Sequence, residues 1–229
     1  MIATPRFAIY YTPAPGPLAD FGASWLGWDV DRGAEAAHPV LDGLDASVAD
    51  LTAEARKYGF HATIKPPFRL AEGHKAANLA SEFARFCKRQ VPVQLDGLHL
   101  ESLGGFLALT PVGDVSALGD LAFATVRDLD RFRAPSGVEE LARRRAAGLS
   151  GRQDALLTEW GYPYVGPEFH FHMTLSHRLD QPKRDVVRSA LDPVLAPILP
   201  RPFTVDALSL CASDATGSFR VLHRAPLSG

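Results

Sequence analysis

The sequence predicts an α+β fold that is internally duplicated: two antiparallel-sheet lobes related by a pseudo-two-fold, with helices on the outside. Three observations predict it. Strand-like and helical segments are interspersed with hairpins instead of following the regular strand–helix–strand rhythm of a parallel sheet. The order strand, helix, histidine-bearing strand, helix, hairpin occurs twice. The spacings also agree: His61 to Leu98 is 37 positions and His172 to Leu208 is 36, while His61 to Phe106 is 45 and His172 to Phe219 is 47. With 229 residues, 46% hydrophobic and 22% charged, the chain has the material for one bilobal domain over 1–229. Its lobes are expected near 1–110 and 111–229, with a helical insertion near 134–162.

Residues 6–12 (RFAIYYT) are aromatic and β-branched and end at the breakers Pro13 to Pro17, which reads as a strand. Leu18, Phe21, Trp25 and Trp28 recur at helical spacing, and residues 29–44 form a polar connection. Ser47 is placed to cap a helix running to about Lys57, with Gly59 where a helix end favours glycine. Residues 60–64 (FHATI) predict a strand that stops at Pro66-Pro67. Residues 75–89 predict a helix with Leu79, Phe83 and Phe86 on one face, and 91–101 with 105–111 predict a hairpin. In the second half, 115–133 is helical by periodicity, and 138–160 adds one or two charged helices with no partner in the first half. Residues 169–176 (FHFHMTLS) predict a strand. Residues 184–198 predict a helix shortened or kinked by Pro193 and Pro197, and 203–211 with 218–223 predict a closing hairpin.

Composition excludes several classes. A formal charge of −2, from 24 Lys+Arg against 26 Asp+Glu, argues against a duplex DNA binder. No segment approaches the roughly 18 apolar residues of a membrane span. The opening, Met1-Ile2-Ala3-Thr4-Pro5-Arg6, shows no basic stretch followed by an apolar run. The expectation is a cytoplasmic protein without a membrane partner. Cys87 and Cys211 are too few for a disulfide framework and read as packing residues. No glycine-rich nucleotide loop of the Walker or dinucleotide type is present.

Chemistry is carried by two matching triplets, His61-Ala62-Thr63 and His172-Met173-Thr174. In a strand, residues i and i+2 share a face, so each His/Thr pair faces one way while Ala62 and Met173 point into the core. The same parity sets Lys65 beside the first pair, and His170 and Ser176 beside the second. With 8 His and 10 Thr in the chain, chance supplies about 0.35 such triplets; two, at equivalent repeat positions, point to function. Imidazoles titrate near neutrality, so one can serve as general base while the other, protonated, serves as general acid. Two threonine hydroxyls can donate to the non-bridging oxygens of a phosphate on the pseudo-dyad. Such chemistry needs no metal, and either histidine fits either role.

Paired His-x-Thr strands in a duplicated α+β chain resemble the 2H phosphoesterase superfamily, which includes bacterial RNA 2′-5′ ligase-like proteins and cyclic nucleotide phosphodiesterases. Residues 58–68 (YGFHATIKPPF), 169–175 (FHFHMTL), 23–27 (ASWLG) and 140–149 (ELARRRAAGL) look like its branch encoded beside phosphonate-degradation genes. The resemblance implies a central active-site cleft between the two lobes, with His61 and His172 as catalytic histidines and Thr63 and Thr174 as phosphate-contacting hydroxyls. It further implies a cyclic ribose phosphate, formed during phosphonate breakdown, as substrate.

The remaining candidates are weaker. Lys65, Tyr58, Tyr10, His170, Ser176 and Arg143 are candidate substrate contacts, the last within the basic run Arg143-Arg144-Arg145, whose alternative is the solvated face of a helix. His170-x-His172, with His177 nearby, has the spacing for zinc but no carboxylate or cysteine close in sequence, and Gly59 stands at the equivalent position of the first half. No metal or cofactor is therefore expected. The function expected is a metal-independent phosphodiesterase acting on a small phosphorylated substrate with a cyclic or 2′-linked diester. The alternatives are processing of RNA ends by the same chemistry, or a non-catalytic phospho-ligand or RNA-binding module.

Overall fold

In the computed structural model, residues 4–229 are described; Met1 to Ala3 of the opening segment lie outside them. The first half comprises β1 (Phe7–Tyr11), α1 (Pro17–Leu26), β2 (Trp28–Asp29), β3 (Ala34–Glu35), α2 (Val48–Arg56), β4 (Ala62–Phe68), α3 (Ala76–Cys87), β5 (Val93–Leu95), β6 (Gly97–Leu103) and β7 (Phe106–Val112). The second comprises α4 (Ser116–Asp128), α5 (Val138–Arg145), α6 (Gly151–Trp160), β8 (Met173–Thr174), α7 (Gln181–Leu195), β9 (Phe203–Val205), β10 (Ala207–Ser213) and β11 (Phe219–Pro226).

Local signals explain most boundaries. Ser47 caps α2, its hydroxyl accepting from the Asp50 amide at 3.0 Å. Ser150 and Gln153 form a capping box at the start of α6. Pro193 lies inside α7 without ending it. Pro66 and Pro67 do not stop the histidine strand either. Between Phe7↔Phe68 and Ile9↔Lys65 the register with β1 slips, so the prolines occupy a bulge where a missing N–H costs no ladder bond.

The two lobes join edge to edge in one seven-stranded antiparallel sheet, ordered β11-β10-β1-β4-β8-β7-β6. The histidine strands β4 and β8 are its central pair, in register at Ala62↔Met173. Rotation about that point exchanges β4 with β8, β1 with β7, and β10 with β6, leaving β11 as an unmatched edge strand. The hairpin of each sequence half therefore sits beside the other half: β7 pairs with β8, and β10 pairs with β1. β5 and β9 pair with each other, closing the same symmetry.

One large core lies on a single face of this sheet. It joins Ile9, Ala62, Ile64, Leu109, Met173 and Leu210 to the apolar sides of α1, α2, α3, α4 and α7. Among the described residues, the opposite face carries a small cluster, Ala8, Tyr10, Cys211 and Phe219. α5 buries no residue and α6 only Leu157, so the insertion adds little to the core.

Candidate active site

Ala62 and Met173 are fully buried behind the central strands, so the alternation sends His61, Thr63, His172 and Thr174 to the opposite face, as parity requires. Extending the Ala62↔Met173 register by one residue either way sets His61 opposite Thr174 and Thr63 opposite His172. Directly opposed side chains have Cβ atoms about 5 Å apart and diagonal ones about 7–8 Å, which leaves room for one phosphate group between the two imidazoles. All four expected catalytic residues thus meet on the pseudo-dyad.

Both histidines are held in the same way. His61 Nδ1 lies 2.8 Å from the Gly59 carbonyl and His172 Nδ1 2.9 Å from the His170 carbonyl. A carbonyl only accepts, so each Nδ1 carries the proton and each Nε2 is left for the cleft. His61 Nε2 accepts from the Thr63 hydroxyl at 3.1 Å. These bonds also explain why both strands begin one residue after the histidine, at Ala62 and Met173. The preceding carbonyl serves an imidazole instead of a ladder. β8 is consequently far shorter than the expected 169–176. It ends where Ser176 accepts from the Leu107 amide at 3.0 Å and donates to the His177 carbonyl at 2.8 Å.

Burial lowers the His61 pKa to about 4; the bond to the Gly59 carbonyl opposes the shift, and the neighbouring His172 adds to it. The Tyr10 ring stacks on the imidazole at 3.8 Å and Tyr58 lies 6.2 Å away, which keeps water from much of the ring. His172 is also lowered by burial, partly opposed by its bond to the His170 carbonyl. The Phe106 ring lies 5.7 Å from it.

A cleft of about 620 Å³ opens over His61, Thr63 and Thr174. Tyr10, Tyr58, Ser176 and Arg143 line it as expected, together with Arg6, Lys57, Arg144 and Tyr162. A second cavity of about 470 Å³ holds His170 and His172 and is walled by Leu103, Phe106, Tyr164 and Phe169. The two share Thr63, Pro66 and Tyr162. Sequence reasoning missed Arg6, Lys57, Tyr162 and the aromatic wall. Arg6 and Lys57 flank elements distant in sequence, so only the fold brings them together.

Two expected contacts are corrected. Lys65 does not face the cleft. A bulge pairs Tyr10 with Thr63 but Ile9 with Lys65, so one step along β1 spans two along β4 and Lys65 turns to the core face. Its ammonium is buried, donating to Asp130 at 2.9 Å and to the Val126 carbonyl at 3.2 Å. Ser176 lines the cleft, but its hydroxyl is engaged by backbone groups on both sides, so it serves the chain path. The basic cluster also divides. Arg145 pairs with Asp154, while Arg143 and Arg144 reach the cleft. Cys87 and Cys211 are buried, and burial pushes both thiols up, Cys87 to about 12. Among the described residues there is no group of three His, Cys, Asp or Glu side chains placed to hold a metal, and no helix long and apolar enough to cross a membrane.

Comparison with known proteins places the chain among relatives. It is 39% identical over 235 residues to a protein of Janthinobacterium sp. (strain Marseille) named ribose 1,5-bisphosphate phosphokinase PhnN, a match covering 98% of this chain and 51% of that protein. A protein of the same name from Laribacter hongkongensis (strain HLHK9) is 36% identical over 177 residues, covering 77% of this chain and 41% of that protein. The chain therefore spans about half the length, or less, of these curated relatives. Among solved structures it is similar to TT0787 of Thermus thermophilus, with a TM-score of 0.43 and 17% identity over 98% of both chains. It is similar also to E. coli LigT complexed with 3′-AMP, with a TM-score of 0.40 and 16% identity over 99% of this chain and 100% of that one. Residues 63–220, from the first His-x-Thr threonine to the last hairpin, match the family described as a protein of unknown function, DUF1045, and the chain belongs to this family.

Proposed function

We propose that the chain is a metal-independent phosphodiesterase that opens a cyclic ribose phosphate in phosphonate breakdown. The observation that carries this reading is the crossed quartet: two imidazoles with Nδ1 tied back and Nε2 turned to the cleft, where that of His61 meets the Thr63 hydroxyl, each histidine lying opposite the other strand's threonine. One neutral imidazole takes a proton from water as its oxygen bonds to phosphorus. The other, protonated, gives its proton to the ring oxygen as that P–O bond breaks, leaving a phosphate monoester and a free hydroxyl. Thr63 and Thr174 donate to the non-bridging oxygens as charge builds on them. In the free protein burial keeps both imidazoles neutral near pH 7. An anionic diester between them raises the affinity of one for a proton, so substrate binding itself arms the acid.

The named activity of the longer relatives fits this reading. A protein named for phosphorylating ribose 1,5-bisphosphate consumes a ribose phosphate monoester, the class of product that opening a cyclic ribose diester yields. The test is hydrolysis of cyclic ribose phosphates, 2′,3′-cyclic nucleotides and short RNAs with and without EDTA. Turnover of the first class, resistant to chelation and lost in His61→Ala and His172→Ala, is expected. Activity abolished by EDTA and restored by zinc would overturn the metal-free mechanism.

A further inference from the structure

The quartet is nearly symmetric, but its surroundings are not. On the His172 side the second cavity is walled by Leu103, Phe106, Tyr164 and Phe169. On the His61 side the cleft is lined by four cations, Arg6, Lys57, Arg143 and Arg144, against one carboxylate, Glu54. Arg144 is committed: it pairs with Glu140 at 3.2 Å and lies over the Tyr162 ring. Among the described residues, Arg6, Lys57 and Arg143 have no carboxylate within ion-pair distance. These three come from before β1, after α2 and from α5 in the insertion. The diester is held by His61, His172, Thr63 and Thr174, so these cations have no counter-charge of their own.

We propose that this basic compartment is the subsite for a second anionic group, a phosphate monoester carried on the same sugar as the cyclic diester. The inference rests on the phosphodiesterase reading and narrows its substrate to a ribose bearing two phosphates. Two guanidinium groups and an ammonium match a dianionic phosphate, since arginine offers paired donors to its oxygens. The asymmetry also sets the substrate's direction, with the distal phosphate on the His61 side and the apolar cavity left on the His172 side. The insertion helices acquire a role, because Arg143 is the cation they contribute.

The experiment has two arms. Calorimetric titration with ribose 5-phosphate, which carries only the monoester, is compared for the wild type, Lys57→Gln/Arg143→Gln and His172→Ala; Lys57 and Arg143 are exposed, and a thermal melt checks that the double variant folds. Binding weakened about tenfold or more in the double variant but retained in His172→Ala is expected. The second arm compares kcat/KM for adenosine 2′,3′-cyclic phosphate with and without a 5′-phosphate. The phosphate should raise it about tenfold or more in the wild type, with the ratio falling toward one in the double variant. A ratio of one in the wild type, or ribose 5-phosphate binding lost in His172→Ala and kept in the double variant, would overturn the subsite. No turnover of any cyclic substrate would instead defeat the phosphodiesterase reading, and the titration would still decide where the monoester binds.

Discussion

At the residue scale, the two imidazoles decide how the site responds to pH. Both pKa values are depressed by burial, His61 to about 4 and His172 below its ordinary value. Paired acid–base catalysis requires one ring protonated and one neutral, so kcat/KM, which reports the free enzyme, peaks between the two values. The expected maximum lies below about pH 6.5, falling as pH rises through the His172 value and again as it drops toward 4. A kcat/KM profile still rising above pH 7.5 would contradict this assignment. His61→Ala and His172→Ala should each reduce kcat by about 10²–10⁴. Because the two act as a unit, the double variant should lose far less than the product of the single losses. The quartet was legible in the sequence because strand alternation is local: knowing that Ala62 is buried fixes where His61 and Thr63 point. Lys65 was misplaced by the same rule, since a bulge at Ile64 ends the alternation and no feature of the neighbouring residues announces it.

At the element scale, the buried side chain of Lys65 connects the strand that carries His61 to the segment of α5 and α6. Asp130 accepts from Lys65 at 2.9 Å and from two Arg133 nitrogens at 2.8 Å each, and Arg133 also donates to the Glu159 carbonyl of α6 at 3.0 Å. Burial pushes the Asp130 carboxyl up, yet the bonds from Arg133 and Lys65 outweigh it and hold the group below its usual range. Burial lowers the Lys65 pKa, and Asp130 offsets part of that. Removing the carboxylate leaves a buried ammonium without a counter-charge, so Asp130→Ala should cost about 3–5 kcal/mol. Lys65→Met/Asp130→Leu, which removes both charges, should be more stable than Asp130→Ala alone. Chemical denaturation of the three proteins tests this, and a double variant no better than the single would refute it. Gly59 presents a second constraint. Its φ is +70°, and a Cβ there would stand 2.4 Å from Val30 Cβ. Since its carbonyl anchors His61, Gly59→Ala should reduce turnover as well as the melting temperature. Turnover unchanged from wild type would show that the anchor is dispensable. Helix starts such as Ser47 were legible because capping is a signal within four residues. The prolines of β4 were misread because their tolerance depends on a partner strand.

At the scale of the whole molecule, the duplication was legible and the exchange of strands was not. Leu98 and Leu208 do hold equivalent places, each second in its strand, and so the spacing arithmetic found the repeat. Which sheet edge a hairpin joins is not written in its own alternation; it depends on which edges the rest of the chain leaves open. The hairpin β6–β7 meets β8, and β10 meets β1, so the hairpin of each sequence half finds its neighbouring strand in the other half. Residues 1–113 and 114–229, produced separately, should each lack a cooperative thermal transition, while their co-expression should restore both the transition and activity. A cooperative transition for 1–113 alone would argue that the exchange is incidental.

The position of β1 has a consequence for how the protein is made. The strand must lie between β4 and β10, and its Ala8 pairs with Cys211, about 200 residues further along the chain. Its second neighbour is synthesised some 200 residues later, so one edge of β1 stays open while those residues are made, and the sheet closes only when the β10–β11 hairpin arrives. The stack of Tyr10 on His61 is built on that strand, so the final shape of the face that bears the quartet waits on residues far from it in sequence. Nascent chains interrupted before β10 would present an unpaired, largely apolar strand, the form of the molecule most prone to aggregate.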